Sequence, residues 1–370
     1  MMPRKAIVKN KQLELGLPHP VFITDGYSEK LLLAELIKLD SANNFLITDY
    51  NVNRLFVVNF LDFLRRHGIN IVLLPVSPGE KSKTIEIFVR LLKELYKHKV
   101  SRYDSLIGLG GGMVLNLSGF LASTVCRGIN LFYIPTTVLA QADVCIGSKA
   151  GLNFEGIKNL VGTFYNPKAV IIDFKYIEKL PPPEKFSGLC ECVKHALIKD
   201  VGMFRFIMQQ SPQDLLKSCV LKQIILRVLR SKALLLNKDW EEEDFGALLR
   251  YGHTIGGALE HLTKNKMKHS HAISMGMVAA AEIANELGFL ATTDVEKHRE
   301  ILKKIQMPTT IPAIFRPNSI LSSLEHDKYR KHGKNYFVLL STIGKPKAIN
   351  RHYRIPLENK IIREALSRCY

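Results

Sequence analysis

The sequence predicts an α/β fold, with a Rossmann-like parallel-sheet domain in its first half and an all-helical domain in its second. Three observations carry this. In the first half, short β-rich apolar runs alternate with longer segments of helical period, the pattern of a parallel sheet covered by helices. After Pro181-Pro182-Pro183 strands nearly vanish, and amphipathic helices follow one another from about Glu184 to Leu324. The 370 residues also exceed the usual single-domain length, so two domains are expected, over residues 1–178 and 179–370.

Taken in order, the predicted strands are Val21–Thr24, Asn44–Thr48, Ile69–Pro75, Ser105–Gly108, Leu131–Pro135 and Ala169–Ile172. Helices are expected between them, around residues 52–67, 84–99 and 113–126. Late in the chain, Tyr336–Ile349, with Gly344-Lys345-Pro346 inside it, reads as a hairpin packed on the helical domain. There is no internal repeat.

Composition narrows the function classes. Hydrophobic residues make up 46% and charged residues 23%, as in a soluble globular protein. Lys and Arg outnumber Asp and Glu by 52 to 34, a net charge of +18 that favours anionic partners. The cations are scattered through amphipathic stretches, and no zinc-finger, basic-zipper or RNA-binding motif is present, so a phosphorylated small molecule is expected and nucleic acid is not. The six cysteines, at 126, 145, 190, 192, 219 and 369, lack disulfide or structural-zinc spacing, which fits a reducing cytoplasm. No apolar run approaches a membrane span, and the segment MMPRKAIVKNKQLELG has no signal-peptide core, so neither export nor anchoring is expected.

Three groups of residues carry chemistry. Gly108-Leu109-Gly110-Gly111-Gly112 follows a strand and opens a helix, where backbone N–H groups can approach a pyrophosphate at the positive end of the helix dipole. Asp49 and Asn51 end an earlier strand, where a carboxylate can accept from a nucleotide ribose and disfavour a 2′-phosphate, so NAD is preferred to NADP. Asp49 is equally suited to capping the helix that follows. The second group, Glu191, His253 and His269, offers oxygen and imidazole ligands of the kind zinc accepts, with positions left open for substrate oxygens. The third is a set of cations, Arg127, Lys149, Lys158, Lys194 and Lys232, in or beside Gly- and Asn-rich turns that could clamp a phosphate. Cys190 and Cys192 flank Glu191 but point to different sides of a helix, and are expected to pack rather than ligate.

In order along the chain, PGEKSK at 78–83, GGGMVLNLSGF at 110–120, CRG at 126–128 and PTTVLAQADVCIGSKAGLN at 135–153 resemble the dehydroquinate synthase superfamily. The resemblance continues through KNLVGTFYNP at 158–167, GLCECVKHALIKD at 188–200, YGHTIGGALE at 251–260 and HSHAISMGM at 269–277. These sugar-phosphate cyclases use transient NAD oxidation to eliminate phosphate and close a carbocycle. The resemblance implies a dehydroquinate synthase-like fold, NAD and zinc (or another divalent cation such as cobalt) as cofactors, a phosphorylated sugar as substrate, a homodimer, and a site in the cleft between the domains. By the same resemblance Glu191, His253 and His269 bind the metal, while Asp49, Asn51, Glu80, Lys83, Gly111, Gly112, Thr136 and Thr137 line the NAD site. Asp143, Lys149, Lys158, Asn159, Lys194, Lys232 and Glu242 would face the substrate, and Arg127 would reach its phosphate, either within its own chain or from a partner subunit.

The departures concern substrate choice. Dehydroquinate synthases usually carry an arginine for the substrate carboxylate where this chain has Gly246, and an aspartate where it has Asn116. Both changes, with HDKYRKHGKNYFVLLSTIGKP at 326–346, resemble the 2-deoxy-scyllo-inosose synthases, which ranks glucose 6-phosphate first, 3-deoxy-arabino-heptulosonate 7-phosphate second and sedoheptulose 7-phosphate third. An arginine installed at Gly246 is expected to favour a carboxylated substrate. Arg250 stands where the family has Asn or an acid and could bind phosphate or restore a carboxylate contact. Gly257 replaces a usual histidine, and His271 a usual glutamate, which makes His271 a competitor of His269 for the metal. The rival readings are a polyol dehydrogenase of the glycerol dehydrogenase type, and a non-catalytic homologue that keeps the fold.

Overall fold

A computed structural model describes residues 11–39 and 41–370. The chain divides into two compact units at Leu180/Pro181.

The first unit is built on a seven-stranded sheet. Its strands, with those of a separate hairpin, run in chain order as β1 (Lys11–Leu13), β2 (Val21–Thr24), β3 (Asn44–Asp49), β4 (Val72–Val76), β5 (Ser105–Gly110), β6 (Asn130–Pro135), β7 (Lys149–Phe154), β8 (Ile157–Phe164) and β9 (Ala169–Asp173). The sheet order is β1-β2-β9-β6-β5-β3-β4, with only β1 antiparallel to its neighbour. Every residue of β3, β5 and β9 is buried, as expected for parallel strands covered on both faces, and this is why they read as unbroken apolar runs. Alternate residues Ile107 and Leu109, Phe132 and Ile134 point to one face, where they pack with Leu32 and Leu36 of the Ser28–Leu39 helix and Phe60 and Leu64 of the Val58–Arg66 helix.

The six predicted strands all form, the third starting later, at Val72, because Gly68 and Ile69 still close the preceding helix onto Arg65 and Leu64. The helix expected over 52–67 contains a π-helical stretch, Asn53–Val57, just after Asp49. The antiparallel hairpin β7–β8 was not among the predicted strands. No residue of β8 is buried and its sequence, IKNLVGTF, has no apolar run to betray it. Its local signal is the turn Glu155-Gly156, whose φ angles of 47° and 78° fit a two-residue hairpin loop.

The second unit is mainly helical, with long helices at Pro182–Ile198, Ser218–Leu236 and His269–Glu286. The expected late hairpin is partly redrawn. Leu340–Thr342 pairs with Lys345–Pro346 around Gly344, while Asn335–Phe337 pairs instead with Ile355–Leu357.

Candidate functional site

In the helical unit, Glu191 sits on the Pro182–Ile198 helix, and His253 and His269 open the next two helices that matter, His253–Leu262 and His269–Glu286. Those two helices approach closely, backbone to backbone. A Cβ on Gly276 would lie 2.0 Å from the Gly252 carbonyl oxygen, so only glycine fits there. This crossing brings two histidines sixteen residues apart to ring centroids 5.6 Å apart.

Glu191 is buried, with Oε1 3.6 Å from His253 Nε2 and 3.4 Å from His269 Nε2. A tetrahedral cation with bonds of about 2.0–2.1 Å separates its ligand atoms by about 3.3–3.4 Å, so the donor set fits a divalent metal closely. The other ring nitrogens are held from behind. His253 Nδ1 lies 3.2 Å from the Tyr251 carbonyl oxygen, and His269 Nδ1 3.1 Å from Glu260 Oε1, an arrangement that turns both Nε2 atoms toward Glu191. Burial pushes His253 down to about 4, against the pull of Glu191. Burial also opposes a charge on His269, but hydrogen bonds to Glu191 and Glu260 outweigh it and raise that ring to about 9. Among the described residues the cluster contains His269 and not His271. Cys190 and Cys192 are buried and lie against the carbonyls of Ser270 and Gly188.

Lys194, one turn from Glu191 on the same helix, is 3% exposed, with Nζ 2.5 Å from Glu191 Oε2. Lys232 is buried on the Ser218–Leu236 helix, which a His195–Ser231 contact of 3.3 Å ties to the helix of Glu191. Glu242 is buried with φ 58°, and Arg250 is 9% exposed with its guanidinium on the Tyr329 ring. Gly246 admits no side chain in this loop conformation, because its Cβ would lie 2.4 Å from the Asp239 carbonyl oxygen. Its N–H donates to Asp239 Oδ2, 2.9 Å away, in a loop that the Asp239 carboxylate gathers. An arginine at this position would therefore require the loop to move.

In the first unit, the chain steps from β3 outward to β4, then returns past β3 to β5 and continues the other way to β6. Ligands of open α/β sheets bind where the direction reverses, at the carboxyl ends of the strands. Asp49 and Asn51 lie at that end of β3, Gly111 and Gly112 after β5, and Thr136 and Thr137 after β6. Gly111 precedes the Gly112–Thr124 helix without a side-chain cap, leaving the first amides of that helix open to an anion. Asn116 Nδ2 donates to the Gly112 carbonyl, 2.8 Å away. Asp49 does cap its helix, Oδ1 accepting from Asn51 N at 2.9 Å and Val52 N at 3.2 Å. Thr137 Oγ1 accepts from Ala140 N at 3.1 Å, while Thr136 is buried beside Gly110, its N–H 2.9 Å from that carbonyl.

A second group in this unit joins Lys83, whose Nζ donates to Asn159 Oδ1, to Glu80, whose Oε2 accepts from Asn153 Nδ2 at 2.8 Å. Lys149 opens β7, Lys158 and Asn159 begin β8, and Asp143 ends the short Val138–Ala142 helix. Arg127 is exposed, on a backbone with three successive positive φ angles, 50° at Cys126, 58° at Arg127 and 117° at Gly128. Sequence reasoning missed Glu260, although its spacing of seven from His253 places both on one helical face. It also gave no role to Tyr329, which lies inside the 326–346 stretch, or to Arg354, which no motif marks.

Fold and site together define a class: a parallel-sheet unit with a nucleotide-type crevice, followed by a helical unit with a candidate divalent-metal centre. Residues 73–187 match the family described as 3-dehydroquinate synthase N-terminal, and residues 188–330 the one described as 3-dehydroquinate synthase C-terminal. A 3-dehydroquinate synthase of Desulforamulus reducens is 33% identical over 336 residues, 90% of this chain and 94% of the relative. One of Chlamydia pneumoniae is 30% identical over 368 residues, 95% of this chain and 96% of the relative. Among solved structures, a 2-deoxy-scyllo-inosose synthase complexed with carbaglucose-6-phosphate, NAD+ and Co2+ is 28% identical, with a TM-score of 0.87 over 98% of this chain and 100% of that one. The chain belongs to the 3-dehydroquinate synthase family.

Proposed function

We propose that the chain is a sugar-phosphate cyclase, a carbon–oxygen lyase that converts 3-deoxy-arabino-heptulosonate 7-phosphate to a carbocycle and inorganic phosphate. The observation that carries this reading is the buried Glu191 carboxylate, set between two imidazole Nε2 atoms and the Lys194 ammonium. Relatives named 3-dehydroquinate synthase support the heptulosonate in particular.

Glu191, His253 and His269 would hold zinc or cobalt, and Asp49, Asn51, Gly111, Gly112, Thr136 and Thr137, with Glu80 and Lys83, would hold NAD. When bound, these cofactors supply Lewis-acid polarisation of substrate oxygens and reversible hydride exchange at a substrate carbon. The chain's own side chains supply the rest. Lys194 is placed to stabilise negative charge developing on a substrate oxygen, and its burial makes that interaction stronger than it would be in water. Asp143, Lys149, Lys158, Asn159, Lys232, Glu242 and Arg250 would orient the sugar phosphate, so that the two carbons that join are held near attack distance. In the overall reaction the C–O bond to phosphate breaks with its electron pair leaving on phosphate, one C–C bond forms, and no net oxidation remains. The chain would act as a homodimer, as the family resemblance implies, with exposed Arg127 reaching the substrate phosphate in a partner subunit.

A second reading takes glucose 6-phosphate. It is favoured by Gly246 and Asn116, and by the likeness to the 2-deoxy-scyllo-inosose synthase. The test is phosphate release by the chain loaded with NAD and zinc, comparing 3-deoxy-arabino-heptulosonate 7-phosphate, glucose 6-phosphate and sedoheptulose 7-phosphate. The heptulosonate is expected to give the highest kcat/KM. Preference for glucose 6-phosphate would move the assignment to the second reading, and release from none of the three would sink the cyclase.

A further inference from the structure

Two arginines of the helical unit hold buried N–H groups that no described residue satisfies. Nε of Arg250 and Nε of Arg354 are both shielded from solvent and both lack a hydrogen-bond acceptor. A buried donor without a partner costs about 1–3 kcal/mol, and more when it is charged, so such groups call for an explanation. The two side chains share a neighbour. The Arg250 guanidinium lies over the Tyr329 ring, its Cζ 3.2 Å from the centroid, and Arg354 donates through Nη2 to the Tyr329 carbonyl, 3.2 Å away. Arg354 Nη1 donates to the Glu243 carbonyl at 3.3 Å, which fixes the plane of that guanidinium as well.

The surroundings of Arg250 are mixed. Burial disfavours the Arg250 cation, and Arg354 adds a like charge, while Tyr329, Asp327 and Glu242 act electrostatically in the other direction. None of them gives Arg250 Nε an acceptor. Asp327 already accepts from the Tyr329 amide, 2.9 Å away. With the Tyr329 ring against Arg250 Cζ, the Nε–H left without an acceptor suits an in-plane oxygen, the geometry that a carboxylate or phosphate matches.

We propose that Arg250 and Arg354 form a two-guanidinium anion site that takes the substrate carboxylate, with the Tyr329 ring as the platform under Arg250. The assignment rests on the functional reading above and names the residues that give it a carboxylated substrate. Gly246 has no side chain to offer such a group, and Arg250 closes the same short Gly246–Arg250 helical turn. Three residues further on, His253 joins the metal cluster. The site is therefore built into the segment that leads to the metal.

The test compares the NAD- and zinc-loaded wild type with Arg250→Gln, Arg354→Gln and, as a charge-matched control on the exposed surface, Arg330→Gln. Steady-state kinetics with 3-deoxy-arabino-heptulosonate 7-phosphate, inhibition by inorganic phosphate, zinc content and unfolding temperature are measured for each. Arg250→Gln should raise KM for the heptulosonate at least about 30-fold, the loss expected when one partner of a buried charged pair is removed. Arg354→Gln should raise it by a smaller factor. Inhibition by inorganic phosphate and zinc content should stay at wild-type levels, and Arg330→Gln should match the wild type throughout. Should Arg250→Gln prove unstable, Arg354→Gln alone must show the same split between KM and phosphate inhibition.

Equal weakening of the heptulosonate and of inorganic phosphate would overturn the carboxylate assignment and make phosphate the occupant. Unchanged KM in both variants, with an active wild type, would overturn the anion site alone. A wild type that releases no phosphate from the heptulosonate would overturn the functional reading and the carboxylate assignment with it.

Discussion

At the carboxyl ends of β3, β5 and β6 the candidate nucleotide site is made largely of backbone, whereas the candidate metal centre is made of side chains brought from three helices. The first kind of site depends on strand order and on glycines that leave helix amides open. The second depends on how closely two helices can cross. Loss of a single side chain should therefore be felt far more at the metal centre than at the sheet, where the neighbouring amides remain whatever the side chain.

The largest effect is expected from Glu191→Gln. It keeps the volume of the buried side chain but removes the carboxylate between the two imidazoles, so zinc retention and phosphate release should both be lost. Metal content after gel filtration and a phosphate assay check this; full zinc occupancy with normal turnover would end the metal assignment. Glu260→Gln should act more gently, because Glu260 holds His269 from behind and does not itself join the metal cluster. Its zinc affinity is expected to fall about 10–100-fold, as for other outer partners of metal-bound histidines, measured by competition with a chelator. An unchanged affinity would remove Glu260 from the account.

The smallest effect belongs to the sheet. Asp49→Ala should cost about 1 kcal/mol through the lost helix cap, read from denaturant unfolding. Asp49→Ser separates the two roles that the sequence left open, since a serine can cap but offers no carboxylate to a ribose. It should restore the stability and leave NAD binding weakened; restored NAD binding would reduce Asp49 to a cap.

The same contrast explains what could be read from the sequence. The central strands were legible because parallel strands buried on both faces carry continuous apolar stretches, as in the FLI of NFLITD and the LIGLG of SLIGLG. The β7–β8 hairpin was not, since its exposed return strand needs no such run and announces itself only through Glu155-Gly156. At the metal centre the ligand types were legible, and the order of the motifs pointed to Glu191, His253 and His269. Their distances were not, because these follow from Gly276 meeting Gly252 in a helix crossing that pattern alone does not reveal. Gly246 shows the opposite failure. Its identity suggested a missing side chain, whereas the structure puts the Asp239 carbonyl where that side chain would begin. The unsatisfied Arg250 and Arg354 were invisible for a related reason: they meet at Tyr329 from segments about 100 residues apart.

The most direct test of the central claim follows phosphate release and NADH absorbance together while the NAD- and zinc-loaded chain turns over 3-deoxy-arabino-heptulosonate 7-phosphate. A cyclase that returns its hydride should release one phosphate for each sugar consumed while NADH stays at a small constant level, no greater than the enzyme present. NADH that accumulates in step with sugar consumed would contradict this and mark a dehydrogenase.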